Sequence, residues 1–241
     1  MSLSNPTTEN PVKKFIEYRA EEATFQYWDK KQEKNIPLEF PVQFIVLDEL
    51  ATITGYCEVA KSNLYSNEVH NLNLQMLNVK SFKGGVHLMG KYADIKDEVK
   101  SYGGKFTKSV YAALFSEGGL ELVNFKLKGD AFSKWLDKKI NVLENGIEIK
   151  SFTDEKKGKN EWKAPVYEPL EITGEYLEEA TAMDVKLQEF LVAYESKQIE
   201  KPVGDIEDED REEVKKEFDE KISGEVRKMN KELKTDDDLP F

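Results

Sequence analysis

Three stretches of this chain set aromatic rings beside lysines. They are Lys80-Ser81-Phe82-Lys83, Lys105-Phe106-Thr107-Lys108 with Tyr111 close behind, and Phe125-Lys126-Leu127-Lys128. Trp28 in FQYWDKK and Tyr65 in the polar run SNLYSNE add two more rings. An ammonium group holds a phosphate and a ring face stacks on a base. Together these are the chemistry of gripping single-stranded nucleic acid without reading its sequence. Each ring also has a plainer use, because most aromatics of a small domain pack in its core. Phe125 is expected to point inward for that reason, with Lys126 and Lys128 on the other face of the same strand. The candidate contacts are Trp28, Tyr65, Lys80, Phe82, Lys83, Lys105, Phe106, Lys108, Tyr111, Lys126 and Lys128.

Catalytic patterns are weaker. Gly104-Lys105 has Phe106 where a phosphate loop needs Ser or Thr, and Val99 where it needs its first Gly. No G-x-S-x-G occurs, and nothing in the sequence marks an activating partner for Cys57. His70 and His87 lack metal-ligand spacing, and two His with one Cys are too few N and S ligands for a structural zinc site. Glu148-Ile149-Lys150, with Asp130 or Asp137 upstream, is the E-x-K pattern of a Mg²⁺-dependent nuclease. Glu98-Val99-Lys100 and Glu161-Trp162-Lys163 show how readily such triplets arise in a chain rich in Glu and Lys. The expectation is a protein that is not an enzyme and needs neither cofactor nor metal.

The charge is divided unevenly. The 241 residues carry a net −12, which taken whole argues against a nucleic-acid binder. Residues 1–163 hold 24 basic and 23 acidic side chains, whereas residues 164–241 hold 11 and 24. The stretch 78–163 alone has 17 Lys against 12 acids. A weakly basic body therefore precedes a strongly acidic C-terminal third, the asymmetry of an interaction tail. A tethered polyanion of this kind is also expected to occupy a basic groove until DNA displaces it. Apolar residues at 39% suffice for a core, yet no run reaches the ~18 needed to span a bilayer. MSLSNPTTENPVKK lacks the apolar stretch of a secretory signal, and a single Cys suits a reducing compartment. A cytoplasmic protein without membrane contact is expected.

Short strands are the elements that must position the candidate groups. Phe25–Asp29, the long β-branched run Val42–Tyr56, Leu72–Lys83, Lys105–Phe115 and Leu120–Lys128 read as strands, with a turn at Gly118-Gly119. Gly55 suits a bulge or bend near the end of the long run. Ile147–Phe152 and Trp162–Thr173 read as late strands. YADIKDEVKSYGG suits a short helix closed by Gly103. Asp130–Leu143 places Phe132, Leu136, Ile140 and Leu143 on one helical face behind an Asp130 N-cap. Thr181 and Asp184 form a capping-box pattern ahead of a helix whose apolar face includes Leu187 and Leu191. The fold expected is mainly β with helical additions: an OB-fold-like small β-barrel, a C-terminal helix and an acidic tail. The expected divisions are a disordered N-terminus at 1–11, a DNA-binding body at 12–172, a packed helix at 173–200, a charged linker at 201–235 and a tip at 236–241. Edge strands would permit a homo-oligomer, but nothing in the sequence selects that over a monomer.

The tip is Asp236-Asp237-Asp238-Leu239-Pro240-Phe241. Three carboxylates steer it toward a basic surface, and Leu239 and Phe241 offer apolar groups. Pro240 restricts the backbone and so reduces the entropy lost on docking. A partner with an apolar pocket rimmed by Arg or Lys would capture the Phe241 ring and its carboxylate together. DDDLPF resembles the C-terminal tip of bacterial single-stranded DNA-binding proteins, where an acidic run ends in a bulky apolar residue, Pro and Phe. FIVLDELATITGY, YSNEV, YADIKDEV, GGKFTKSVYAALF and ELVNFKLKGDAFSKWLD make the body resemble the single-stranded DNA-binding proteins of large bacteriophages. Those stretches total 56 of the 241 residues, about a quarter of the chain. The resemblance implies a body that coats single strands during replication, recombination and repair, and a tip that recruits the proteins of those processes. Three further readings stay open: a metal-dependent nuclease built on Glu148 and Lys150, a strand-annealing recombination protein, and an adaptor whose body binds protein.

Overall fold

A computed structural model describes residues 10–200, and the side chains of residues 10–194. The nine N-terminal residues, the charged linker and the tip lie outside the described residues. In chain order the strands are β1 (Lys14–Arg19), β2 (Thr24–Asp29), β3 (Lys34–Pro37), β4 (Val42–Cys57), β5 (Ser62–Tyr65), β6 (Leu77–Ser81), β7 (His87–Gly90), β8 (Gly104–Ser116), β9 (Gly119–Leu127), β10 (Gly146–Lys157) and β11 (Asn160–Leu170). The helices are α1 (Tyr92–Ser101), α2 (Gly129–Asp137) and α3 (Gly174–Glu200).

β4 organises the sheet. Twelve of its 16 residues are apolar or β-branched, which suits a strand packed on both faces. β8 pairs with it from Phe44↔Leu114 to Gly55↔Gly104. Its other edge is shared: β10 takes Val42–Phe44, and β5 takes Thr54–Cys57. The order is β3-β2-β1-β9-β8-β4-β5-β6-β7, with β10 and β11 branching from β4. β1 and β9 run parallel. The predominantly β expectation is met, but the sheet is open and does not close into a barrel. β3 and β7, four residues each, end the series at opposite sides. Short end strands of this kind limit edge-to-edge association.

The long strand bends at Leu47, where the register with β8 shifts between Val46 and Asp48. The bulge expected at Gly55 is absent there: pairing with β8 runs regularly from Asp48 to Gly55. Gly55 serves close approach instead: a Cβ there would overlap the backbone of Gly103 and Gly104. Gly103 takes φ +81° just after α1, the left-handed turn that returns the chain into β8.

Alternation splits the side chains between two faces. One face is packed. Ile16, Phe25, Phe44, Val110, Val123 and Phe125 meet Ala131 and Trp135 of α2 and Ile147 and Ile149 of β10. Farther along the same face, Ile53, Leu64, Leu77 and Val79 meet Ile95 and Val99 of α1. The opposite face is only partly covered. Ala180, Leu187 and Leu191 of α3 pack on Ile45, Leu50, Tyr111, Ala113 and Leu120. The β10–β11 hairpin leans on β1, where the Tyr18 hydroxyl donates to the Lys163 carbonyl at 2.8 Å. Burial, and then the charge of Asp130, push the Tyr18 phenol up to about 12.

The limits of α2, α3 and β6 differ from expectation. α2 stops at Asp137 because Lys138 turns to extended backbone (ψ 130°) and lays its ammonium over the Trp135 ring, 3.7 Å from the centroid. Ile140 then packs on the core from a loop, and Leu143 is solvent-exposed. The α2 N-cap is Lys128, with Asp130 inside the first turn. α3 starts at Gly174, so Thr181 lies in its interior and its hydroxyl donates to the Leu177 carbonyl at 2.7 Å. Within Leu72–Lys83 only Leu77–Ser81 is strand. The preceding turn is held by Asn71, whose side chain accepts from the N–H groups of Asn73 and Leu74. No helix among the described residues is long and apolar enough to cross a membrane.

Candidate nucleic-acid interface

The uncovered part of the second sheet face carries most of the candidate groups. Pairing registers fix which residues share it. Tyr65 of β5 lies opposite Thr54 of β4 and Lys80 of β6, and Thr54 lies opposite Lys105 of β8. Tyr56 lies opposite Asn63, one alternate step along the same face. Asn78 and Met89 extend the face onto β6 and β7. Tyr56 and Tyr65 are each about half exposed, at 48% and 47%. Phe82, two residues beyond Lys80, is 81% exposed, and its backbone N–H still donates to the Asn63 carbonyl at 2.9 Å. Lys83 follows in the Gly84-Gly85 turn and is exposed. At these named positions the face holds rings, amides, hydroxyls, a thioether and lysines; the carboxylate that β4 contributes to this face, Asp48, lies farther along, level with Tyr111 and hydrogen-bonded by Gln188 of α3. A polyanion can therefore lie across the rings and ammonium groups of this patch without meeting a carboxylate among its named positions.

A second ring patch lies on the same face, farther along the sheet. Phe15 of β1 is level with Asn124 of β9, and Glu17 with Lys126. Glu17 pairs with Gln26 of β2, which sets Trp28 on the same face, 56% exposed. The Lys126 ammonium sits 5.7 Å from the centre of the Phe15 ring.

The remaining candidates are distributed by alternation. Lys105 and Thr107 are on the open face; Phe106 and Lys108 are on the packed one. Phe106 contacts the rings of Tyr92 at 5.6 Å and Phe132 at 5.0 Å between centroids. Lys108 pairs with Glu49 at 2.9 Å. The four residues that sit together in sequence thus serve opposite sides of the sheet. Tyr111 is on the open face but buried beneath α3, with its hydroxyl donating to Glu68 at 2.5 Å. Burial first, and then the Glu68 carboxylate, push its phenol well above the ordinary range. Lys126 pairs with Glu68, and Lys128 lies 3.5 Å from Glu17. Phe125 is buried, as its alternation with the flanking lysines implies.

Tyr56, Phe15, Asn63 and Met89 escaped the sequence reading. The signal for Tyr56 was its position on β4, opposite in parity to Ile53 and Cys57. Tyr65, within the polar run SNLYSNE, ends β5.

The E-x-K segment forms an ion-pair network. Glu148 accepts from Gln43 Nε2 at 2.8 Å and from Lys150 Nζ at 3.0 Å, and both hold its carboxyl below the ordinary range. Lys150 also meets Glu168 at 2.6 Å, which with Glu148 raises its ammonium. Among the described residues no three His, Cys, Asp or Glu side chains come together as a metal site would need. Comparison with protein-family models, with curated proteins and with solved structures finds no match to this chain.

Proposed function

We propose that this chain binds single-stranded DNA without sequence preference, coats it during replication, recombination or repair, and recruits partner proteins through residues 236–241. The observation that carries the reading is the open sheet face. Tyr56, Tyr65 and Phe82 are exposed beside Lys80 and Lys105, and no carboxylate stands among the strand positions between them. Rings supply sequence-tolerant stacking and lysines supply phosphate contacts. The recruiting role rests on the residue chemistry of the tip alone, which lies outside the described residues.

The finer fold assignment is part of the same proposal. β4, β5 and β6 form a meander, β7 and α1 follow, β8 returns against β4 and β9 pairs with β8. With the four-residue β7 set aside, five strands with a helix between the third and fourth make an OB-like unit, opened where β9 takes β1 as its neighbour. The test is photocrosslinking of the full chain to a bromodeoxyuridine-substituted single strand, followed by peptide mapping. The reading expects crosslinks at Tyr56, Tyr65 and Phe82. Crosslinks confined to the α2 side of the sheet would remove it.

A further inference from the structure

We propose that Glu68 is an internal stand-in for a DNA backbone phosphate, holding Lys126 until a bound strand displaces it. This rests on the single-strand-binding reading above and names how that face is regulated.

Glu68 lies just beyond β5, beside Val69, which bridges to Ala51 of β4. Its carboxylate gathers three donors from other strands. Ser109 Oγ donates to it at 2.8 Å, Tyr111 Oη at 2.5 Å, and the Lys126 ammonium closes the cluster. Lys126 also reaches Ser109 Oγ at 3.0 Å. The side chains of Lys126 and Glu68 are only 14% and 12% exposed. Two hydroxyls and an ammonium converging on paired oxygens are the donor set that would equally hold a phosphate. As a stability device the cluster is imperfect, because Asn124 Oδ1 beside it is buried without a partner. A partly satisfied buried network costs stability, which a cluster selected only for packing would avoid.

Position supplies the functional argument. The cluster sits on β8 and β9, between the Tyr56/Tyr65/Lys80 patch and the Phe15/Trp28 patch of one sheet face. From β5 to β1 is four strand steps, about 19 Å at the ordinary strand spacing. A single strand stacked on both patches must cross at Lys126. There its phosphate meets the Glu68 carboxylate, and one anion must leave. With Glu68 in place the face offers two short tracts; with Glu68 displaced it offers one continuous tract.

The experiment compares full-length wild type, Glu68→Gln and Lys126→Gln in oligo-dT titrations over a salt series, with thermal melts alongside. Glu68→Gln keeps one acceptor oxygen for a hydroxyl, lets the other hydroxyl accept from the new amide, and loses the charge that holds Lys126, so binding should tighten on the order of tenfold. Lys126→Gln should weaken binding and make the slope of log K against log salt shallower by about 0.7, one phosphate contact to a single strand. Changes of opposite sign cannot come from misfolding, which weakens both variants. Wild type binding with both variants unchanged, or both weakened alike, overturns the role of Glu68 and leaves the parent reading standing. Wild type failing to bind single strands overturns both.

Discussion

Tyr65→Ala isolates the stacking component of the account. The ring stands about half exposed on β5, between Thr54 and Lys80, and lies diagonally from Tyr56 across the β4–β5 pair. Diagonal neighbours are roughly 7–8 Å apart, so the two rings can serve two separate bases of one strand. Stacking is worth roughly 1–3 kcal/mol per base, which converts to a loss of about 5- to 150-fold in affinity. Because the side chain leaves the core untouched, its removal should change folding stability by no more than ~0.5 kcal/mol. Tyr65→Phe keeps the ring and should bind as wild type. The assay is fluorescence titration of oligo-dT at fixed salt, with urea unfolding as the control. If Tyr65→Ala binds as wild type, or if Tyr65→Phe loses as much as Tyr65→Ala, stacking on this face is refuted.

Other consequences follow from the same geometry. Lys105→Gln should flatten the salt dependence of DNA binding by about 0.7 per contact, whereas Lys108→Gln, on the packed face, should leave it unchanged; parallel salt series decide this. Trp135→Ala empties the centre of the packed face beneath Tyr167 and Phe44 and should cost about 3–5 kcal/mol in urea unfolding. Gly55→Ala drives a methyl into the Gly103-Gly104 backbone and should destabilise by about 1–3 kcal/mol, read as a lower midpoint in the same assay. Removing residues 201–241 should raise single-strand affinity and steepen its salt dependence, since the excess negative charge of the chain lies in its C-terminal third; unchanged binding would exclude competition by the tail.

Much of the sheet was legible because strands announce themselves by composition. The run from Val42 is too long and too β-branched for a helix, and it forms β4 almost residue for residue. Lys105–Phe115 and Leu120–Lys128, joined at Gly118-Gly119, form β8 and β9. Local sequence says less about where an element stops when a distant group decides it. Nothing near Asp137 announces the end of α2; the stop coincides with Lys138 settling over Trp135 and toward Glu49. The same limit explains closure. Whether β9 meets β1 or completes a barrel is a matter of long-range pairing, which composition does not encode.

The candidate site was legible by residue type and blurred by side. Lys105-Phe106-Thr107-Lys108 reads as one basic-aromatic cluster, yet strand alternation sends Lys105 to the open face and buries Phe106 against Tyr92 and Phe132. Tyr111 shares the open face but not its exposure, because Leu187 and Leu191 of α3, far later in the chain, pack with it. Tyr56 was hidden inside an apolar run and becomes visible as a surface ring only when the parity of β4 is known. Glu68 carried no sequence signal at all, since its three donors come from β8 and β9.

The central claim is that the open face grips single strands. The most direct test is titration of the full chain against a fluorescent oligo-dT and a duplex of equal length, across a salt series. Tight single-strand binding, weak duplex binding and a linear fall of log K with log salt are the predicted result, the slope counting the lysines that meet phosphates. Equal affinity for both substrates, or binding to neither, would contradict it.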